Sequence, residues 1–570
     1  MRKQLTDLRQ IMAARNIDAC LVPTTDFHNS EYVNDYFKSR EFISGFTGSA
    51  GTLVVTSKEA KLWTDGRYFL QAAAELNDTG IDLMKMGQPG VPSLTEWLTS
   101  ALDDEDVLAF DGRLISSTFG AELASKFQVI YDADLPGEIW PDRPQIHPAK
   151  IYALTEDVTG ESASSKLSRV RQFMSSKKAD YHLLTQLEDI AWLYNLRGDD
   201  IPHTPVFFAF ALITAEEDRL YVLDESYEGG LPYLQIFEDL SKLPAGTMLL
   251  NEEAVSFALR KAIPAEISII DHENPCTLMK ALKNPVEIQA TKKAHLKDGA
   301  AMAAFLCWLK NPPDKTRLTE ISAADYLADC RAKQTGYHDL SFATISGYAG
   351  NGAIVHYDPT PETDKALQPS GFLLVDSGGQ YEDGTTDITR TIALGPLTEE
   401  MKQHYTAVLK GHIALARAKF TAGTTGADLD QLARKPLQEL GLDYNHGTGH
   451  GVGHLLSVHE GPQTISPRGT KHAIQPGMIC SNEPGVYIAG SHGIRLENEI
   501  LCVEDHLGRL GFETITLCPF DRDAIDADQL TKAERDWLNA YHAEVYEKVA
   551  PHVSEQTRSW LYKVTRKLPR

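Results

Sequence analysis

No run of about 18 apolar residues occurs in the 570-residue chain, which argues against a membrane-spanning helix. Positive charge is in short supply too. The 55 Lys and Arg stand against 79 Asp and Glu, and the formal net charge of −24 disfavours nucleic acid or any other polyanion as a partner. Cysteine is sparse and scattered: seven residues, at 20, 276, 307, 330, 480, 502 and 518, with no CxxC pair. That set reads as reduced thiols in a cytoplasmic protein. The first twenty-two residues, MRKQLTDLRQIMAARNIDACLV, spread their charges through a helical pattern without a long apolar core, which argues against a secretory signal. No low-complexity tract is present.

What is there divides into three parts. LPGEIWPDRPQIHP (135–148) carries four prolines in fourteen residues and reads as an extended connector. Asn284, Pro285 and Glu287 suit an N-cap, a first helical position and a capping-box partner, so a long helix and a third domain are expected to start there. The expected divisions are 1–148, 149–283 and 284–570. The first two parts share an order of elements: strand, helix, a glycine-containing turn, then a hairpin of apolar strands. Either an internal duplication or shared alternation accounts for that likeness. From 285 onward, helices over 285–310, 319–334, 399–419 and 425–440 alternate with strands joined by short turns, which implies a mixed, mainly antiparallel α+β sheet.

The chemistry concentrates in that third part. LLVDSGGQYEDGTTDITRT (373–391) reads as a hairpin turning at YEDG, which makes Asp376 and Asp387 near cross-strand partners with Cβ atoms about 5 Å apart. Like charges so placed destabilise a sheet unless a cation lies between them. Taken alone, the pair reads as two solvated carboxylates beside a turn. HGTGHGVGHLLSVHEG (446–461) sets His446, His450, His454 and His459 among five glycines, a density that argues for backbone passing close to something. It matches neither a phosphate-cradling GxGxxG nor the HExxH of a zincin helix. In ICSNEPGVY (479–487), Pro484 pushes Glu483 toward extended geometry. In GIRLENEIL (493–501), alternation places Arg495, Glu497 and Glu499 on one face, without deciding which glutamate matters. Four carboxylates would be cancelled by two divalent cations. An oxygen-rich set with imidazole suits Mn2+, Co2+, Fe2+ or Zn2+, and such a pair can generate hydroxide at neutral pH.

Asp376, Asp387, the His450 of GTGHGVG, the Glu483 of NEPG and the Glu497 of GIRLEN resemble, in order, the five ligands of the pita-bread metallopeptidases, the family of methionine aminopeptidase, prolidase and aminopeptidase P. KNPVEI, GAIVHY, SVHEGP, AWLYNLRG, IPHTPVFF and TDGRYFLQA extend the likeness over essentially the whole chain, toward the long three-domain cytosolic branch. The resemblance implies an α+β fold, a C-terminal pita-bread (creatinase/aminopeptidase) domain behind two creatinase-like α/β domains. It also implies a homodimer and two metal ions, Mn2+ foremost. Asp376 would bind one metal, Asp387 and Glu497 would bridge both, and His450 and Glu483 would complete the ligands of the second metal. Glu483 would act as general base. His356 and His459 would grip substrate and stabilise the oxyanion, with His446 near the bound peptide and Arg495 holding the acidic cluster. Arg67 matches a front-domain arginine linked to substrate, reaching the site within the chain or from a dimer partner. His454 has no assigned role beyond surface or packing. The implied reaction is hydrolysis of the first bond in Xaa-Pro peptides by a bridging metal hydroxide. A prolidase that cleaves only dipeptides and a non-catalytic peptide-binding module on the same fold are the alternatives.

Overall fold

Asn284 and Glu287 satisfy each other's backbone in the way a helix start requires. Asn284 Oδ1 accepts from the amides of Val286 (2.9 Å) and Glu287 (3.0 Å), and Glu287 Oε2 accepts from that of Asn284 (2.9 Å). With Pro285 in the first turn, this capping box launches the 26-residue helix Pro285–Lys310. In this computed structural model, which describes residues 2–312 and 317–568, the helix belongs to the second of two units.

The first unit comprises residues 1–155 and 161–277. It contains two six-stranded sheets of one design. The first runs, in spatial order, Asp82–Lys85, Ala60–Thr64, Thr52–Thr56, Ala19–Pro23, Val107–Ala109 and Gln128–Ile130. The second runs Leu231–Pro232, Asp218–Val222, Ala209–Thr214, Tyr181–Leu184, Gly246–Leu250 and Ile267–Asp271. In each, an antiparallel hairpin joins the first strand of the copy, which pairs in parallel on its other side. Six strands placed identically twice are more than shared alternation produces.

The second unit comprises residues 156–160 and 278–570, and its strands pair antiparallel throughout the described residues. A three-stranded sheet places Phe372–Ser377 between Ile345–Tyr348 and Ile388–Ala393. A six-stranded sheet runs Lys419–Phe420, Leu510–Thr514, Asn498–Glu504, Ile479–Asn482, Gly449–Gly451 and Glu460–Ile465. Helices Glu399–Ala416, Gly426–Gln438 and Lys532–Val549 supply apolar faces to the buried core around Tyr405, Val408, Leu409, Leu437, Leu538 and Val545.

Two sequence expectations need correction. The hairpin turns between Tyr381 and Gly384, one residue later than its apparent centre, so Asp376 lies opposite Thr389 rather than Asp387. Asp387 falls two positions along on the same face, a diagonal neighbour of Asp376. The close pass at Gly378, where a Cβ would stand 1.8 Å from Thr386 O, keeps the two arms together there. The face proposed for Arg495, Glu497 and Glu499 is not one strand. His492–Arg495 ends, and Asn498–Glu504 begins a different sheet.

Candidate metal centre

Asp376 stands near the end of the Phe372–Ser377 strand, and Asp387 immediately before Ile388–Ala393. His450 is central in Gly449–Gly451, Glu483 follows Ile479–Asn482, and Glu497 occupies the break before Asn498. Four strand ends and one short strand thus aim five side chains at one place. Donor atoms of Asp376, Asp387 and Glu497 lie within 4.8 Å of one another, as do those of His450, Glu483 and Glu497, and those of Asp387, His450 and His459. Asp387 and Glu497 each belong to two of these groups. His450 Nε2 is 3.4 Å from Asp387 Oδ2 and 3.3 Å from Glu483 Oε1.

The surroundings orient each group. His450 Nδ1 donates to Gly451 O (2.9 Å), which leaves Nε2 facing the carboxylates. Ser481 accepts from His450 N (2.9 Å) and donates to Glu483 Oε1 (3.0 Å), and Thr389 donates to Glu497 Oε2 (2.7 Å). Arg495, 1% exposed, holds Asp376 Oδ2 through Nη2 (2.6 Å) and Nε (3.1 Å) and reaches Tyr487 Oη (2.7 Å) and Val355 O (3.3 Å). Glu499 belongs to none of these donor groups. Its Oε1 accepts from Asp387 N (2.8 Å) and its Oε2 pairs with His295 Nε2 (3.1 Å).

Electrostatics show the strain of four carboxylates with little compensation. Burial pushes the Glu483 carboxyl up to about 7, with Asp387 and Asp376 adding to the rise against His450 and Arg495. Burial, and then repulsion from Asp387, raise Glu497 well above the carboxylate range, and burial raises Asp376 despite Arg495. For His450, burial works against its charge but Asp387 and Glu483 outweigh it, lifting the imidazole to about 9. Three buried oxygens, Asp376 Oδ1, Asp387 Oδ1 and Glu497 Oε1, have no hydrogen-bond partner. Unpaired carboxylate oxygens converging with an imidazole nitrogen fit divalent cations and little else.

The remaining predicted residues fall around this centre. The His459 ring meets that of His450 edge-on, centroids 4.3 Å apart. His446 joins Tyr487 Oη (2.7 Å) and through it Arg495. His356 follows Val355, whose carbonyl Arg495 contacts. His454 is buried, its two nitrogens 3.1 Å from Thr291 Oγ1 and Val158 O, a packing residue rather than a surface one. Arg67 belongs to the other unit, where Asp65 (2.8 Å) and Glu31 (3.7 Å) pair with it. Thr389, Ser481 and Tyr487 went unread in the sequence. Thr389 and Ser481 stand two residues from Asp387 and Glu483, so alternation pointed to them.

Metallopeptidase family M24 matches residues 289–504 and the C-terminal region of that peptidase 508–568, behind two matches to the creatinase/prolidase N-terminal domain at 4–144 and 142–287. The probable Xaa-Pro aminopeptidase P of Fusarium vanettenii is 39% identical over 99% of this chain and 98% of its own. The chain belongs to metallopeptidase family M24. Aminopeptidase P1 of Arabidopsis thaliana is 38% identical over 99% of both chains. Among solved M24 structures, the X-prolyl aminopeptidase of Caenorhabditis elegans, described as a cytosolic enzyme with a di-nuclear active site, superposes with a TM-score of 0.94, at 35% identity over 99% of each chain. The fold is therefore the expected one, an M24 pita-bread domain behind two creatinase-type domains.

Proposed function

We propose that the chain is a metal-dependent exopeptidase that hydrolyses the first peptide bond of peptides beginning Xaa-Pro and releases the first residue. One observation carries the reading: three unpartnered buried carboxylate oxygens converge with His450 Nε2, in a chain similar over its whole length to proteins named aminopeptidase P. Asp376 would hold one cation and His450 with Glu483 the other, while Asp387 and Glu497, each in two donor groups, would be shared. Two bound divalent cations, Mn2+ first with Co2+, Fe2+ or Zn2+ as alternatives, would supply Lewis acidity and acidify water at the site.

The chain's own groups do the rest. Glu483 takes the proton from the attacking water and passes it to the leaving nitrogen. His459, beside His450, and His356 offer N–H donors to the developing oxyanion and the peptide. His446 and Arg495 are coupled through Tyr487, and Arg495 fixes the direction of Asp376. A free N-terminal amine would coordinate a bound cation, which restricts cleavage to the chain end. Preference for proline rests on the relatives' names. Arg67 would contact substrate from the front domains, taken as 1–148 and 149–283 ahead of a catalytic domain at 284–570. A cytoplasmic homodimer completes the proposal. No helix is long and apolar enough to cross a membrane among the described residues, and the seven cysteines are buried and form no disulfide, as suits a reducing compartment. The dipeptidase and the non-catalytic module are not favoured.

The test is turnover of an Xaa-Pro-Xaa tripeptide and an Xaa-Pro dipeptide before and after chelation. Release of the first residue from the tripeptide, lost with chelator and restored by divalent metal, is the expected result. Cleavage indifferent to chelator, or confined to the dipeptide, overturns the reading.

A further inference from the structure

Helix Glu320–Ala332 opens on a side chain that no step above uses. Glu320 is 0% exposed, yet among the described residues no Lys, Arg or His side chain pairs with it. Hydrogen bonds hold its charge instead, and every partner is a donor. Oε1 accepts from Tyr348 N (2.6 Å) and Asn351 Nδ2 (3.0 Å); Oε2 accepts from Tyr357 Oη (2.9 Å), Lys365 N (3.0 Å) and Asn351 Nδ2 (3.1 Å). All of these partners lie in one stretch, 348–365, and His356 sits inside it.

That stretch needs holding. Ala349 adopts φ +51°, a left-handed conformation that an alanine keeps only when its surroundings fix it. Gly352 packs so tightly on strand His492–Arg495 that a Cβ on Gly493 would stand 1.6 Å from Gly352 O. Arg495, which grips Asp376, also reaches Val355 O, next to His356. The segment is therefore held by Glu320 at Tyr348, Asn351 and Tyr357 and by Arg495 at Val355. Only a carboxylate suits the Glu320 position. Both oxygens accept, so an amide there would turn its N–H groups on the amide of Tyr348 or of Lys365.

We infer that Glu320 is a positioning residue for the reaction, its buried carboxylate fixing the 348–357 segment so that His356 meets the bound peptide. This rests on His356 contacting substrate, as proposed above. The test compares Glu320→Gln, His356→Ala and the double variant for kcat, KM, metal content and melting temperature. Glu320→Gln is expected to lower kcat/KM about tenfold or more with metal content unchanged. In the His356→Ala background, the same change costs less than about twofold. Tyr357→Phe, which removes one bond and serves if Glu320→Gln fails to fold, gives a smaller loss that the His356→Ala background likewise suppresses. Wild-type turnover in both the Glu320 and Tyr357 variants, or losses that multiply in full with that of His356→Ala, overturn the inference and leave the role of His356 standing. Wild-type turnover in His356→Ala alone sinks that role and the inference with it.

Discussion

Stripping the divalent cations and raising the pH should unfold this protein progressively, by an amount the cluster sets. Without cations the Glu483 carboxyl titrates at about 7 instead of 4.5, and the His450 imidazole at about 9 instead of 6.5. Both values are raised, so between each pair of values the folded chain binds a proton that the unfolded chain has released. Stability from Glu483 is complete below pH 4.5 and lost as pH rises through 7; that from His450 is complete below 6.5 and lost through 9. Each rise converts to about 3 kcal/mol. The two groups are 3.3 Å apart and release protons as a pair, so the combined loss between pH 5 and 9 falls between about 3 and 6 kcal/mol. Bound cations neutralise the cluster with these protons released and so remove this penalty, a gain that grows as pH rises. For a unit of this size, about 5 kcal/mol moves Tm by about 10 °C. Thermal unfolding of chelated and Mn2+-loaded protein from pH 5 to 9 reads this directly. The metal-induced gain should be small at pH 5 and reach about 10 °C by pH 8. A gain independent of pH, or a chelated protein that melts higher at pH 8 than at pH 5, would refute the reasoning.

Three further outcomes follow from the same contacts. Glu483→Gln should abolish turnover in a soluble, folded protein, since an amide cannot take the proton, and near-wild-type activity would mean that another group is the base. His459→Ala should lower turnover more than metal content; metal loss equal to that of His450→Ala, read by elemental analysis, would make it a ligand. Lys280 pairs with Glu460 at 2.7 Å with both side chains buried, beside the segment that carries His459. Lys280→Ala leaves a buried uncompensated charge and should cost about 3–5 kcal/mol, seen as a lower Tm, whereas Lys280→Met with Glu460→Gln should recover most of it.

Local chemistry was legible in the sequence to the residue. Asn284, Pro285 and Glu287 declared the helix Pro285–Lys310 because a cap involves neighbours three positions apart. The hairpin was legible to within one residue; its turn fell later because Glu382 and Asp383 make the tip and Gly384 starts the returning arm. Strand alternation failed where the strand did. Leu496 and Glu497 separate two sheets, so Arg495 and Glu499 take different partners, Asp376 and His295. What gave no sequence signal is what depends on distant partners. Lys280 finds Glu460, Lys283 finds Val452 O at 2.6 Å, and Glu320 finds Tyr357. Each of those residues reads in isolation as an ordinary solvated charge.

Charge compensation separates function from structure in this unit. Asp298 has Arg331 at 2.7 Å, Asp430 has Arg434 at 2.7 Å, Glu460 has Lys280, Glu499 has His295, and Glu320 has its ring of donors. Each buried carboxylate is answered by the chain itself. Asp376, Asp387, Glu483 and Glu497 are the exception, four acids sharing Arg495 and His450. A fold that supplies those partners has left this spot to be completed from outside. Two divalent cations would cancel the four carboxylates, and the Arg495 charge would then remain over. A site with one positive charge in excess binds a neutral peptide less strongly than the anionic tetrahedral species that hydrolysis forms from it. That difference in binding is what accelerates the reaction.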